Sequence, residues 1–468
     1  MHTELLTKID EMIEASTEKL AADTIRLVNI NSEKSDPVPG APWGIGPRAV
    51  LDEVLKMGKA AGFYTTDYNV GVVSTALKEG QPDLGIWLHG DVVAAGEGWN
   101  YPPYDATEYK GCIIGRGATD NKGQLAAIFN LLQIFKELGI ELKYNPALYV
   151  GSNEELGMQD LIGIPGNPDA KGFLNVCTPP RMSLVPDSGW PVGFGGKGAV
   201  SVVLRSKTPL HGIKLIAGQP GKPGDALAIL DRTDVPAELP KCTVVKGEKT
   251  EVSSYSPPRH GANPDPNGNM ITFICEDLLD AGLVSEEDKH IFEFLKTLSK
   301  DIYGHCINID YEHPVMGLPR VATTRIDDVD GCVEVSLRIR YPVGITVAEI
   351  EENIRKVADT LGFTVEKCAA GTPAYMIDPE NDMVKMLARV ANEITGDNSA
   401  PYTMSGGTYA HRLPNAYPFG MSGNCPPEDF PKGRGGAHGV DECVSLFRLK
   451  RAMRIYARAL LELNDILG

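Results

Sequence analysis

The sequence predicts an α/β protein whose first domain is interrupted by a second one built on an antiparallel sheet. Three observations predict this. Up to residue 187, short apolar runs alternate with amphipathic helical stretches, the pattern of a sheet with parallel pairs. Beyond residue 193 the strand-like runs alternate polar and apolar residues, as in an antiparallel sheet covered on one face. At 373–378 the chain turns again, and two helical stretches then bracket a glycine-rich segment.

Taken in order, Leu5, Ile9, Met12, Ile13, Leu20 and Leu27 recur at helical spacing and predict one amphipathic helix over 4–28. The run DPVPGAPW at 36–43 cannot be helical, because prolines and glycines interrupt it. Helix resumes near Pro47 with Val50, Leu51, Val54 and Leu55. LGIWL at 84–88 and ALYV at 147–150 read as buried strands. Between them, 122–138 is helical, with Leu125, Ile128, Phe129, Leu132 and Phe135 on one face. The glycine-dense GFGGKG at 193–198 opens the insertion. Strands at 200–204 and 332–340 and helices at 286–300 and 346–360 follow. Helices at 379–396 and 443–463 close the chain. The expected division is a discontinuous domain, 1–192 with 376–468, and an inserted domain, 193–375.

The chain has 468 residues and a net charge of −17, with 42% hydrophobic and 23% charged residues. That composition suits a soluble globular protein. The acidic balance argues against nucleic acid or an anionic membrane as partner, since either needs a basic patch. The nine cysteines are scattered and none is spaced C-x-x-C, which fits a reducing, cytoplasmic setting. No charged leader followed by an apolar run opens the sequence, so no secretory signal is expected. No run of 18 apolar residues predicts a membrane span.

Five short segments concentrate His, Asp and Glu in loops or just after strands. In HGD at 89–91, residues two apart point the same way. His89 can hold a metal while Asp91 accepts its second ring N–H. In GRGATDNKG at 115–123, Asp120 stands at the mouth of a helix, where it would equally serve as an N-cap. In GSNEE at 151–155, two adjacent carboxylates face different ways, so one can bind metal and the other act as general base. VPD at 185–187 offers Asp187, and GGAHGVDE at 435–442 offers His438. Two imidazoles and three carboxylates make a set that two nearby metals need, with one carboxylate bridging. Nitrogen and oxygen ligands without thiolate suit Zn²⁺, with Mn²⁺ or Co²⁺ also compatible.

The order H-x-D, G-R-G-x-x-D-x-K-G, E-E, P-D and a late G-x-H resembles the M20 co-catalytic metallopeptidases, and within them the PepV-type bacterial dipeptidases. APWGIGP at 41–47, FGGKG at 194–198 and SGGTYA at 405–410 extend the resemblance over nearly the whole chain. It implies a di-metal aminopeptidase-like catalytic domain, with 193–375 as an inserted α+β lid. His89 and Asp187 would hold one metal, Glu155 and His438 the other, and Asp120 would bridge them. Glu154 would be the general base and Asp91 would orient His89. A cis peptide is implied after Asp120. In the lid, His260 would donate to the developing oxyanion, and Arg340 would grip the substrate's C-terminal carboxylate. Ser405, Gly406, Gly407 and Thr408 would offer backbone N–H groups and a hydroxyl to that same carboxylate.

The implied activity is hydrolysis of a small peptide, a dipeptide, with an N-acyl amino acid deacylase (aminoacylase or succinyl-diaminopimelate desuccinylase type) as the alternative. The long insertion favours the dipeptidase and a monomer over a homodimer. Two positions depart from the family's pattern. The run at 217–225 lacks the lid asparagine, and residue 411 is His where relatives often carry Arg.

Overall fold

The computed structural model describes residues 2–167, 169–220, 222–257, 264–421 and 426–467. The chain forms two compact units. One comprises Met1–Gly195, Ile377–Tyr402 and Thr408–Gly468, and the other Gly196–Met376 with Thr403–Gly407.

The first unit is built on a six-stranded mixed sheet. Its order is Tyr64–Asp67, Val72–Ala76, Pro146–Gly151, Leu84–His89, Met182–Val185 and Ala416–Pro418. Leu84–His89 runs parallel to both of its neighbours, and Ala416–Pro418 parallel to Met182–Val185. The first two strands are antiparallel additions. Continuous apolar runs suit the centre, since both faces of these strands are covered. Every residue of Leu84–His89 and Pro146–Gly151 is buried. The helix Gly123–Glu137 lies deep in the same core and packs against helices Thr17–Val28 and Leu446–Leu467.

Two expectations change here. The single N-terminal helix is two, His2–Ala15 and Thr17–Val28. At the break, the Ser16 hydroxyl donates to the Ile13 carbonyl and Thr17 to Glu14, which competes with the helical ladder. The C-terminal helix begins at Leu446, because Cys443–Ser445 is a strand paired antiparallel with Cys112–Ile114.

The second unit carries an eight-stranded antiparallel sheet. Its order is Thr243–Lys246, Thr250–Tyr255, Lys222–Leu230, Ile213–Gln219, Arg320–Val329, Cys332–Tyr341, Gly198–Ser206 and Phe363–Ala370. Burial alternates residue by residue along Gly198–Ser206, as a sheet covered on one face requires. Helices Met270–Asp280, Lys289–Lys300 and Val347–Thr360 supply Ile274, Leu278, Phe292, Leu295, Ile350 and Ile354 to this core. Thr346 caps the last of these, accepting from Glu349 N, while the Glu349 carboxylate accepts from the Thr346 backbone N–H. In the run at 217–225, residues 217–219 end the strand Ile213–Gln219 and 222–225 open Lys222–Leu230, with Gln219 opposite Lys222. Among the described residues, no helix is long and apolar enough to cross a membrane.

Candidate metal centre

Strand ends deliver the chemistry. His89 is the last residue of Leu84–His89 and is 1% exposed. Its Nδ1 donates to the Asp91 carbonyl oxygen at 3.0 Å, which leaves Nε2 as the nitrogen that could hold a metal. Sequence reasoning gave that N–H to the Asp91 carboxylate. The carboxylate lies 3.7 Å from Nδ1 and instead accepts the backbone N–H groups of Glu154 and Glu155, at 3.1 and 3.2 Å. Asp91 therefore holds His89 through its main chain and the two glutamates through its side chain.

Asp120 sits in a tight turn, Ala118–Lys122, that leads into the buried helix. The Asp120–Asn121 peptide is cis, as the resemblance implies. One Asp120 oxygen is 3.0 Å from His89 Nε2, and the other is 3.2 Å from His438 Nε2. Asp187 follows the strand Met182–Val185 and stands 3.9 Å from His89 Nε2. Glu155 Oε1 is 2.9 Å from His438 Nε2. His438 has a φ of +61°, a left-handed backbone uncommon for a residue with a side chain, within a glycine-rich turn. Two triads result, His89–Asp120–Asp187 and Asp120–Glu155–His438, each with its ligand atoms within 4.8 Å of one another.

The electrostatics follow from burial. Desolvation pushes Asp187 up to about 7, helped by the neighbouring Asp120 charge. Burial works against the ionised form of Asp120 too, but hydrogen bonds from His438 and His89 hold it below the usual carboxylate range. The hydrogen bonds that His438 donates to Asp120 and Glu155 push it up to about 10. Glu154 is 8% exposed, and one of its carboxylate oxygens is buried without a hydrogen-bond partner. Desolvation, reinforced by the charges of Asp187, Glu155 and Asp91, carries it well above the normal range.

Two further carboxylates are outside the sequence reading. Asp160 accepts from Ser152 N and Asn153 N, at 2.8 and 3.1 Å, and from the Tyr409 hydroxyl at 2.5 Å. Glu442 accepts from Thr119 N and Asp120 N, at 3.0 and 2.9 Å. Both serve main-chain donors, which leave no mark on residue type; for Glu442 the only cue is its place just after His438.

The substrate-facing candidates are divided between the two units. Arg340 lies on Cys332–Tyr341 in the second unit and is half-buried. Among the described residues it has no carboxylate partner, and burial together with the Arg338 charge lowers its pKa. Ser405, Gly406 and Gly407 cluster with the second unit and Thr408 with the first. The Thr408 N–H donates to His411 Nδ1 at 3.2 Å, so the backbone donor expected there is already committed. His411 itself is buried. His260 lies outside the described residues.

A sequence profile of Peptidase family M20/M25/M40 matches residues 86–462. The putative dipeptidase YtjP of Bacillus subtilis is 26% identical, over 95% of this chain and 97% of its own. A putative dipeptidase of Staphylococcus epidermidis is also 26% identical, over 96% of each chain. Among solved structures, human carnosine dipeptidase 1 superposes with a TM-score of 0.57 at 15% identity, over 98% of this chain and all of that one. The Saccharomyces cerevisiae di-peptidase Dug1p gives a TM-score of 0.58 at 13% identity, over 98% of each chain. At those identities the two structures speak for the fold alone.

Proposed function

The chain belongs to peptidase family M20/M25/M40, and we propose that within it the protein is a metal-dependent dipeptidase. The observation that carries this reading is Asp120, whose two oxygens face two different imidazoles across two ligand triads. The donor set fits a pair of divalent cations. It offers three carboxylates and two imidazole nitrogens, and among the described residues no Lys or Arg pairs with Asp120, Asp187 or Glu155. His89 and Asp187 would hold one cation, Glu155 and His438 the other, and Asp120 both. Hard and borderline donors without thiolate favour Zn²⁺, with Mn²⁺ or Co²⁺ accommodated.

When bound, such cations acidify water and polarise the scissile carbonyl. Glu154 is the proton carrier. Its buried, unpartnered oxygen and raised pKa suit a base that takes a proton from the attacking water. The same carboxyl then returns that proton to the leaving amine, so the peptide C–N bond breaks and an acid and an amine leave. Asp91 keeps the Glu154 and Glu155 main chain fixed while this happens. By resemblance, His260 donates to the oxyanion, and Arg340 takes the C-terminal carboxylate with Ser405, Gly406, Gly407 and the Thr408 hydroxyl.

We assign 1–192 and 376–468 to catalysis, 193–375 to a lid, and the protein to the cytoplasm as a monomer. The names of the bacterial relatives, read with the length of the insertion, support dipeptides over N-acyl amino acids. A panel of dipeptides and N-acyl amino acids, offered to chelator-stripped and Zn²⁺-reloaded protein, tests this. Hydrolysis of dipeptides only after reloading is expected. Hydrolysis of acyl amino acids with dipeptides untouched would transfer the protein to the deacylases.

A further inference from the structure

Three buried carboxylates around the centre each accept two consecutive backbone N–H groups. Asp91 and Asp160 both brace the Ser152–Glu155 stretch. Glu442 acts differently, because it belongs to the loop of His438 and grips the turn of Asp120. Its Oε1 accepts from Thr119 N and Asp120 N, and its Oε2 receives Arg116 Nη1 at 2.5 Å. The other end of the Arg116 guanidinium reaches the His438 carbonyl at 3.4 Å and those of Ala94 and Ala95 at 3.3 Å. The guanidinium also lies 5.1 Å over the Trp99 ring. The Arg116 and Glu442 side chains are 2% and 0% exposed. One buried ion pair thus spans the main chain of Asp120 and the main chain of His438. His89 is anchored separately, on the Asp91 carbonyl.

We propose that Arg116 and Glu442 are positioning residues that hold Asp120 and His438 in register for the cation of the Asp120–Glu155–His438 triad. The inference rests on the ligand assignment made above. Neither residue touches substrate or cation; the pair acts through two main-chain segments. Partners of this kind commonly change metal affinity by about 10- to 100-fold. Breaking one half of a buried pair strands the other charge, whereas replacing both with apolar groups is often tolerated.

The test is calorimetric titration of Zn²⁺ into the stripped full-length protein, for the wild type, for Glu442→Gln, and for the double variant Arg116→Met/Glu442→Leu. Circular dichroism of the metal-free forms accompanies it. The wild type is expected to take two cations. Each variant is expected to bind the cation of the Asp120–Glu155–His438 triad at least tenfold more weakly, with a smaller loss at the other cation, which shares only Asp120, and with the metal-free spectrum retained in the double variant. Unchanged affinities would overturn the proposal, as would equal loss at both sites. Loss of the folded metal-free state in both variants would also overturn it, by assigning the pair to folding. A wild type that takes fewer than two cations would remove the ligand assignment itself, a failure distinguishable from the others before any variant is made.

Discussion

In the proposed mechanism, Glu154 and Asp120 divide the chemistry at the scale of single residues. Asp120 is kept ionised by two imidazole neighbours, while Glu154, next to the ligand candidate Glu155, is left with a bare buried oxygen. Glu154→Gln should therefore retain both cations by metal analysis while kcat falls about 10²- to 10⁴-fold, the usual worth of a general base. Full turnover with metal bound would remove Glu154 from that role. Arg340→Met should lower kcat/KM for a dipeptide about 10- to 100-fold through loss of a charged hydrogen bond, with two cations still bound. An unchanged kcat/KM would place the carboxylate elsewhere. The five ligand candidates were legible because each is a metal-competent residue in a glycine-rich loop or just past an apolar strand. Asp160 and Glu442 were not, because what they hold is main chain. Asp91 was half legible: it does hold His89, but through its carbonyl, while its carboxylate serves backbone donors.

The elements put these residues in place. Pro146–Gly151 ends where Tyr409 and Asp160 meet above it, and a Cβ on Gly151 would lie 1.9 Å from the Tyr409 hydroxyl and 2.3 Å from Asp160 Oδ2. Gly151→Ala should displace that pair and destabilise the protein by about 1–3 kcal/mol, as overpacking of a filled core does. A thermal melt indistinguishable from wild type would show that the strand end has slack. The central strands were readable from the sequence because both faces are covered, so apolar residues run without interruption. The hairpin strands Ile213–Gln219 and Lys222–Leu230 were not, since KPGD at 222–225 carries the marks of a loop while the backbone stays paired. Cys443–Ser445 was absorbed into the helix that follows it; only its pairing with Cys112–Ile114, 329 or more residues earlier in the chain, sets it apart.

For the whole molecule, the net charge of −17 contains a small and unusual fraction. Desolvation pushes Asp91, Asp187 and Glu442 each up to about 7, from ordinary values near 4. Between roughly pH 4 and 7, the metal-free folded state holds protons that the unfolded chain has already released. These groups therefore make the metal-free protein less stable as pH rises through that window. Calorimetry of stripped protein should show a lower Tm at pH 7.5 than at pH 5.5, and Zn²⁺ should narrow the gap by ligating Asp187 in its charged form. A rise in the metal-free Tm over the same interval would contradict the electrostatic account. Cation binding adds stability of its own, about 2.7 kcal/mol at a hundredfold excess over Kd.

All of this turns on cations and turnover belonging to one site. The most direct measurement is a titration of Zn²⁺ into stripped protein, with bound metal and hydrolysis of a dipeptide followed in the same samples. Activity absent at zero equivalents and reaching its plateau at two is the predicted result. Full dipeptide hydrolysis in the presence of chelator, or two tightly bound cations with no hydrolysis of any dipeptide, would contradict it.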